Sequence, residues 1–391
     1  MPSPLPNPSL PSVCFVAPRM YPVLARRGDI AVVGGAEVQQ AFLARQLVQR
    51  GYPVSVASED YGQPDTEVID GIRIVKMFDA ADGLPVLRAL HPRMTGTWKA
   101  LRQADADIYC LRSASMTVGL VTAYCALHAR KSVFAAANDF DFVPGRELIR
   151  DPWYRAMFRH GVRRVSRIVV QHPGQAVSCR LHYGRASTHI RSMFVPPSPD
   201  VHDAAAAEVL WCAVLRENKQ VELFVELARR MPETVFRIVG GPDASSYSQA
   251  ISLQLTALAG SLPNLRFDGF QPYEGADRRF LQARVFISTA LAEGFPNTFL
   301  QAWCRGVPTL SFVDVGAEID GESVGQVCAD LDAMESRLRH WLRDPIAWQR
   351  ASVNARRYFE THHSAQASTT AYIELFDGLC AAHRPALPSR A

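Results

Sequence analysis

The chain has 391 residues, 48% of them apolar and 20% charged, with a formal net charge of +4. These proportions fit a folded globular chain of about two or three domains and exclude a disordered polymer, a collagen-like repeat and a small disulfide-knotted module. The positive balance falls short of the dense charge of a nucleic-acid binder, so no nucleic-acid partner is expected.

Residues 1–12 (MPSPLPNPSLPS) are rich in Pro and Ser, lack a basic start or apolar centre, and read as a disordered leader rather than a secretory signal. A cytoplasmic location is expected on that basis. No apolar run approaches the ~20 residues needed to cross a bilayer. The longest, 118–129, contains His128 and reads as a buried helix. The eight cysteines are scattered without a CxxC pair or Cys/His cluster, which predicts reduced thiols. No metal-ligand spacing such as HExxH occurs, and no metal is expected.

Short apolar runs then alternate with longer helical patterns. Strands are predicted at 12–17, 53–57, 72–77, 107–111, 132–137, 167–171 and 191–195. A second series follows at 209–214, 234–239, 264–267, 284–289, 307–312 and 325–328. Amphipathic segments at 36–50, 220–230, 298–304 and 332–342 lie between them. Apolar strands alternating with helices argue for an α/β fold with parallel sheets covered on both faces. The stretch 195–207 (VPPSPDVHDAAAA) separates the two series. The expected architecture is a pair of doubly wound, Rossmann-like domains, 13–195 and 208–363, joined by a hinge at 196–207. Ligands of such sheets sit beyond the carboxyl ends of the strands, so two sheets facing across a cleft would share one ligand. The tail 384–391 reads as disordered.

Four segments carry the chemistry. The most specific is 292–310, AEGFPNTFLQAWCRGVPTL, which follows a predicted strand. Gly294 permits a sharp turn and Pro296 suits a helix start. Backbone N–H groups at Asn297 and Thr298, the Thr298 hydroxyl and the helix dipole favour a diphosphate. Glu293 precedes them, placed for sugar hydroxyls, and Gln301 lies one turn further on. The second is 211–226, WCAVLRENKQVELFVE, in which Arg216 and Lys219 leave a strand's carboxyl end. The third is 33–50, where Gly34 and Gly35 open a helix and let a phosphate or sugar approach the backbone. The fourth is 132–142, SVFAAANDFDF, a strand ending at Asn138 and Asp139 with Asp141 beyond. Arg112 and His172 also follow strand ends. A basic stretch, 146–167, spaces Arg155, Arg159 and Arg163 along one helix face. It reads either as a solvated face or as a surface for membrane or a lipid diphosphate. Neither GxGxxG nor GxxxxGK[ST] occurs, which argues against nicotinamide and P-loop chemistry.

The segment EGFPNTFLQAWCRGVP resembles the donor-site motif of retaining GT-B glycosyltransferases, family four. The resemblance covers about 13–380 and is strongest in the second half. It implies that Glu293 positions the donor sugar, that Gln301 meets the nucleotide ribose where the family usually has a second Glu, and that Arg216 and Lys219 neutralise the leaving diphosphate. The family's Arg normally stands five residues before the Lys, a slot filled here by Val214. The GGAE at 34–37 resembles the loop after the family's first strand. Asn138 stands where many members have a His, leaving Asp139 or Asp141 to orient the acceptor hydroxyl. The family's final helix crosses back to the first domain, which places 364–383 there. The implied partners are a UDP- or GDP-sugar donor, with no further cofactor, and a glycan or lipid-linked acceptor in surface polysaccharide synthesis. Two other readings fit the same motifs: a non-catalytic sugar-nucleotide-binding subunit, and a sugar-nucleotide epimerase or hydrolase.

Overall fold

The computed structural model describes residues 7, 9–27, 34–83, 89–196, 207–293 and 295–381. The chain divides into two compact units. One holds the described residues up to Ser192 together with those from Ala365 onward; the other holds Met193–Ser364. Most of the predicted leader, residues 197–206 of the predicted hinge, Gly294 and the predicted tail lie outside the described residues.

The first unit is built on eight strands: β1 (Val13–Val16), β2 (Val54–Ser58), β3 (Thr66–Ile69), β4 (Ile72–Lys76), β5 (Ile108–Arg112), β6 (Lys131–Ala135), β7 (Arg167–Val170) and β8 (Thr188–His189). Their order is β3-β4-β2-β1-β5-β6-β7-β8, with every pairing parallel except β3–β4. The central β1 (VCFV) is buried along its whole length, as expected of a strand covered on both faces. The chain runs outward from β1 through β2 to β4, then returns to β5 on the other side. The strand order therefore reverses between β1 and β5. Two helices of this unit, Met116–Leu127 and Pro152–Arg164, pack backbone to backbone at Gly119 and Gly161. A Cβ on Gly161 would lie 2.6 Å from the Gly119 nitrogen, so only glycine fits there. The helix Ala365–Ala381 belongs to this unit although it ends the described chain.

The second unit carries β9 (Glu208–Cys212), β10 (Phe236–Val239), β11 (Leu265–Phe267), β12 (Ala283–Ser288), β13 (Thr309–Ser311), a small hairpin of β14 (Glu318–Ile319) and β15 (Glu322–Ser323), and β16 (Gln326–Val327). The main sheet has the order β11-β10-β9-β12-β13-β16, all parallel, and reverses between β9 and β12. Trp211, Phe224, Phe236 and Ile287 fill its core. The fold is thus α/β with two Rossmann-like parallel sheets.

Two local expectations need correction. Residues 191–195 are not a strand. Their apolar character serves burial instead: Phe194 packs on Phe359, with ring centroids 6.4 Å apart, and its N–H bonds the His363 carbonyl. The face spaced by Arg155, Arg159 and Arg163 is not a free solvated one, because all three engage groups of their own unit. Arg159 pairs with the buried Glu147 at 2.5 Å, Arg155 donates to the Ile149 carbonyl at 2.8 Å, and Arg163 lies over the Tyr183 ring.

Candidate functional site

Residue positions in the second unit follow from its topology. Loops after β9 and β12 leave the sheet where the strand order reverses, the place where open α/β sheets bind ligands. After β9 the buried Leu215 pins the loop, its N–H bonding the Gly241 carbonyl. A 3-10 turn, Glu217–Lys219, follows, and Gln220 takes a left-handed conformation before the helix Val221–Arg230 begins. After β12 comes the loop that carries Glu293 and leads to the helix Asn297–Trp303.

The two loops are laced together. Trp211 Nε1 donates to the Thr289 hydroxyl at 3.0 Å, which donates to the Lys219 carbonyl at 2.7 Å, and the Leu291 N–H bonds the Asn218 carbonyl at 3.0 Å. This lacing brings the side chains of Lys219 and Glu293, 74 residues apart, into a direct ion pair. The side chains are 17% and 20% exposed, partly desolvated yet reachable by a ligand.

Arg216 is held apart from that pair. Its Nε donates to Asp243 at 2.9 Å, and the side chain is half exposed. The Ser245 hydroxyl and N–H, and then Arg216, hold the Asp243 carboxyl well below the usual carboxylate range. Asn297 opens its helix and Thr298 lies half-buried in the first turn. Gln301 turns inward. It is 4% exposed, and its amide donates to Asp277 at 3.0 Å. Asp277 in turn accepts from Arg305 at 2.5 and 3.2 Å. Burial raises the Asp277 pKa and the Arg305 charge opposes that rise.

In the first unit, Gly34 caps the helix Gly35–Gln49 in an extended conformation, and the Glu37 carboxylate folds back over it. A side chain at position 34 would collide with that carboxylate. Asn138 caps the turn Asp139–Phe142 by accepting from the Phe140 N–H. Asp141 is buried and accepts from the N–H groups of Ala137 and Asn138 at 2.8 and 3.1 Å, so its place is structural. Burial pushes its pKa up to about 6. Asp139 is 43% exposed and accepts from His172 Nε2 at 2.8 Å.

Two family models match successive parts of the chain. Residues 33–193 match "Glycosyltransferase Family 4", and residues 206–344 match "Glycosyl transferases group 1". Both parts of the chain thus match glycosyltransferase models. Solved structures agree on the fold of this glycosyltransferase. It is similar to sucrose-phosphate synthase from Thermosynechococcus elongatus, at 16% identity and a TM-score of 0.75 over 95% of this chain and 100% of that one. It is similar to HepE from Anabaena in complex with UDP and glucose, at 14% identity and 0.71 over 94% and 100%. It also resembles the catalytic domain of starch synthase IV from Arabidopsis thaliana bound to ADP and acarbose, at 14% identity and 0.70 over 95% and 99%. No curated protein sequence matches the chain.

Several residues of the glycosyltransferase escape sequence reasoning. Thr289, which ties the two loops, carries no motif. Asp243, which holds Arg216, follows the Gly-Gly-Pro after β10. That glycine pair was a readable signal: a Cβ on Gly240 would collide with the Ala213 carbonyl, so the β9 and β10 loops can touch only through glycine. Among the described residues, no group of three His, Cys, Asp or Glu side chains is arranged to hold a metal ion. No described helix is long and apolar enough to cross a membrane.

Proposed function

We propose that this chain transfers a hexose from a nucleoside diphosphate sugar to a hydroxyl of a glycan or lipid-linked acceptor, retaining the anomeric configuration, in surface polysaccharide synthesis. The observation that carries the reading is the Lys219–Glu293 pair at the reversal between β9 and β12, inside a family-matched unit. The Lys219 ammonium meets the leaving diphosphate, aided by N–H groups at Asn297 and the Thr298 hydroxyl. Glu293, released from Lys219 by the incoming anion, accepts hydrogen bonds from the sugar hydroxyls. The acceptor oxygen bonds to the anomeric carbon on the face from which the diphosphate departs, and the hydroxyl proton leaves with the diphosphate. Fixed cationic and dipolar groups stabilise the developing charge without a metal. Arg216 swings from Asp243 to join them, and Gln301, which gives one N–H to Asp277, meets the ribose through the rest of its amide. The UDP, UDP-glucose and ADP in similar structures support a nucleoside diphosphate donor.

The test is product formation from UDP-, GDP- and ADP-glucose with a panel of p-nitrophenyl hexosides. One donor is expected to yield an α-linked product with EDTA present. No transfer from any donor contradicts the reading.

Peripheral membrane contact belongs to the same proposal. Leu148 and Trp153 are 72% and 46% exposed, with Arg146 and Arg150 exposed beside them. That combination suits the interface of an anionic membrane. Co-sedimentation with phosphatidylglycerol vesicles is expected, and its loss in Leu148→Ser/Trp153→Ser checks it. Equal recovery of the variant and the parent chain with vesicles would rule this surface out.

A further inference from the structure

β6 and β7 are parallel neighbours, so Asp139 and His172 both leave the carboxyl edge of the first sheet. Asp139 begins the turn after β6, and His172 caps the helix Pro173–Tyr183 after β7. One oxygen of Asp139 takes two bonds, from His172 Nε2 at 2.8 Å and from Gln175 Nε2 at 3.0 Å. Gln175 is 1% exposed, and its own carbonyl accepts from the Gln171 N–H at 2.9 Å. The carboxylate is therefore braced from behind by a buried amide of fixed orientation.

A carboxylate only accepts, so Nε2 donates to Asp139, and the tautomer with its hydrogen there has the lone pair on Nδ1. The Nδ1 edge is kept open. A Cβ on Gly174 would come within 3.1 Å of both Nδ1 and Cε1, and the glycine has none. Among the described residues Nδ1 makes no hydrogen bond, and the side chain is 21% exposed. The result is a hydrogen-bond acceptor of set direction at the ligand-binding edge of a doubly wound sheet.

We propose that His172 touches the acceptor: its Nδ1 accepts a hydrogen bond from a sugar hydroxyl of the acceptor other than the attacking one, and Asp139 is a positioning residue acting through it. This rests on the transferase reading above. No proton changes hands at His172. The bond steers the acceptor sugar, so its loss appears in acceptor KM and not in donor chemistry.

The discriminating variants are His172→Gln and His172→Ala, assayed with p-nitrophenyl hexosides and, in parallel, for donor hydrolysis, where water replaces the sugar. Glutamine restores an N–H donor toward Asp139 but places no acceptor at the Nδ1 position. Both variants are expected to raise acceptor KM about tenfold, the scale of one hydrogen bond. Donor hydrolysis and diphosphate binding should stay at the parent level. Asp139→Ala should behave alike, and Asp139→Ala/His172→Ala should fall no further, as for residues acting in series. Parent-like acceptor KM in His172→Gln would mean that the His172–Asp139 bond only braces the fold. Parent hydrolysis without transfer to any hexoside would equally overturn a sugar-seating role. A parent chain that turns over donor with neither sugar nor water contradicts the transferase reading itself.

Discussion

Lys219→Ala and Glu293→Ala are each expected to lower sugar transfer by about 10²–10³-fold, the cost of removing one pre-set charged group from a transition state. Neither should unfold the chain. An ion pair that is partly exposed contributes about 0–1 kcal/mol to stability, so thermal midpoints should stay within roughly 3 °C of the parent. The two losses should differ in kind. Lys219→Ala removes the counter-charge to the diphosphate and should weaken donor and product binding together. Glu293→Ala removes contacts to the sugar and should leave the affinity for free nucleoside diphosphate near the parent value. Transfer within threefold of the parent in either variant, measured as initial rates with saturating donor, would contradict the assignment.

Asp277→Ala is expected to destabilise the second unit by about 3–5 kcal/mol, because it strands the Arg305 charge in the interior. The pair is 3% and 2% exposed, bonded at 2.5 Å, with Gln301 on the same carboxylate. For a unit of this size the loss corresponds to a fall in thermal midpoint on the order of 10 °C. Asp277→Leu/Arg305→Met, which removes both charges and keeps the volume, should recover much of it. Gln301→Glu should also destabilise, by setting a second carboxylate against Asp277. The family's more usual residue is thus disfavoured here by its neighbour. Differential scanning calorimetry of the three variants decides this. Single-variant midpoints within 2 °C of the parent would show that the buried pair carries no such weight.

The alternation of apolar strands with helices made both sheets legible, because parallel strands buried on two faces leave unbroken apolar runs. The short antiparallel strand Thr66–Ile69 was missed. Its signal was present: Asp70-Gly71 takes positive φ at both residues, 51° and 77°, the preferred two-residue hairpin turn. The run at 191–195 misled because burial of Met193 and Phe194 imitates the apolar pattern of a strand where the chain is not extended into a sheet. In the site, the resemblance set Lys219 and Glu293 on one donor, and in the structure each follows one of two neighbouring strands. Arg216 with Asp243, Gln301 with Asp277 and His172 with Asp139 could not be placed together from the sequence. These contacts join positions 27, 24 and 33 residues apart, and they depend on side-chain rotamers that no local pattern encodes. The inward turn of Gln301 is the clearest case. Its place one helical turn after the Glu293 loop was legible, but the buried Asp277–Arg305 pair that claims its amide was not.

A donor site at Lys219 and Glu293 is tested most simply by a thermal-shift titration of the parent chain and Lys219→Ala with UDP, GDP, ADP and CMP, with and without magnesium. Saturation of a native-state site at about 100 times its dissociation constant adds roughly 2.7 kcal/mol, a rise of several degrees for a unit of this size. One diphosphate is expected to raise the parent midpoint equally in both conditions, and the rise is expected to disappear in Lys219→Ala. No rise with any diphosphate, or an equal rise in the variant, would contradict a donor site at Lys219 and Glu293.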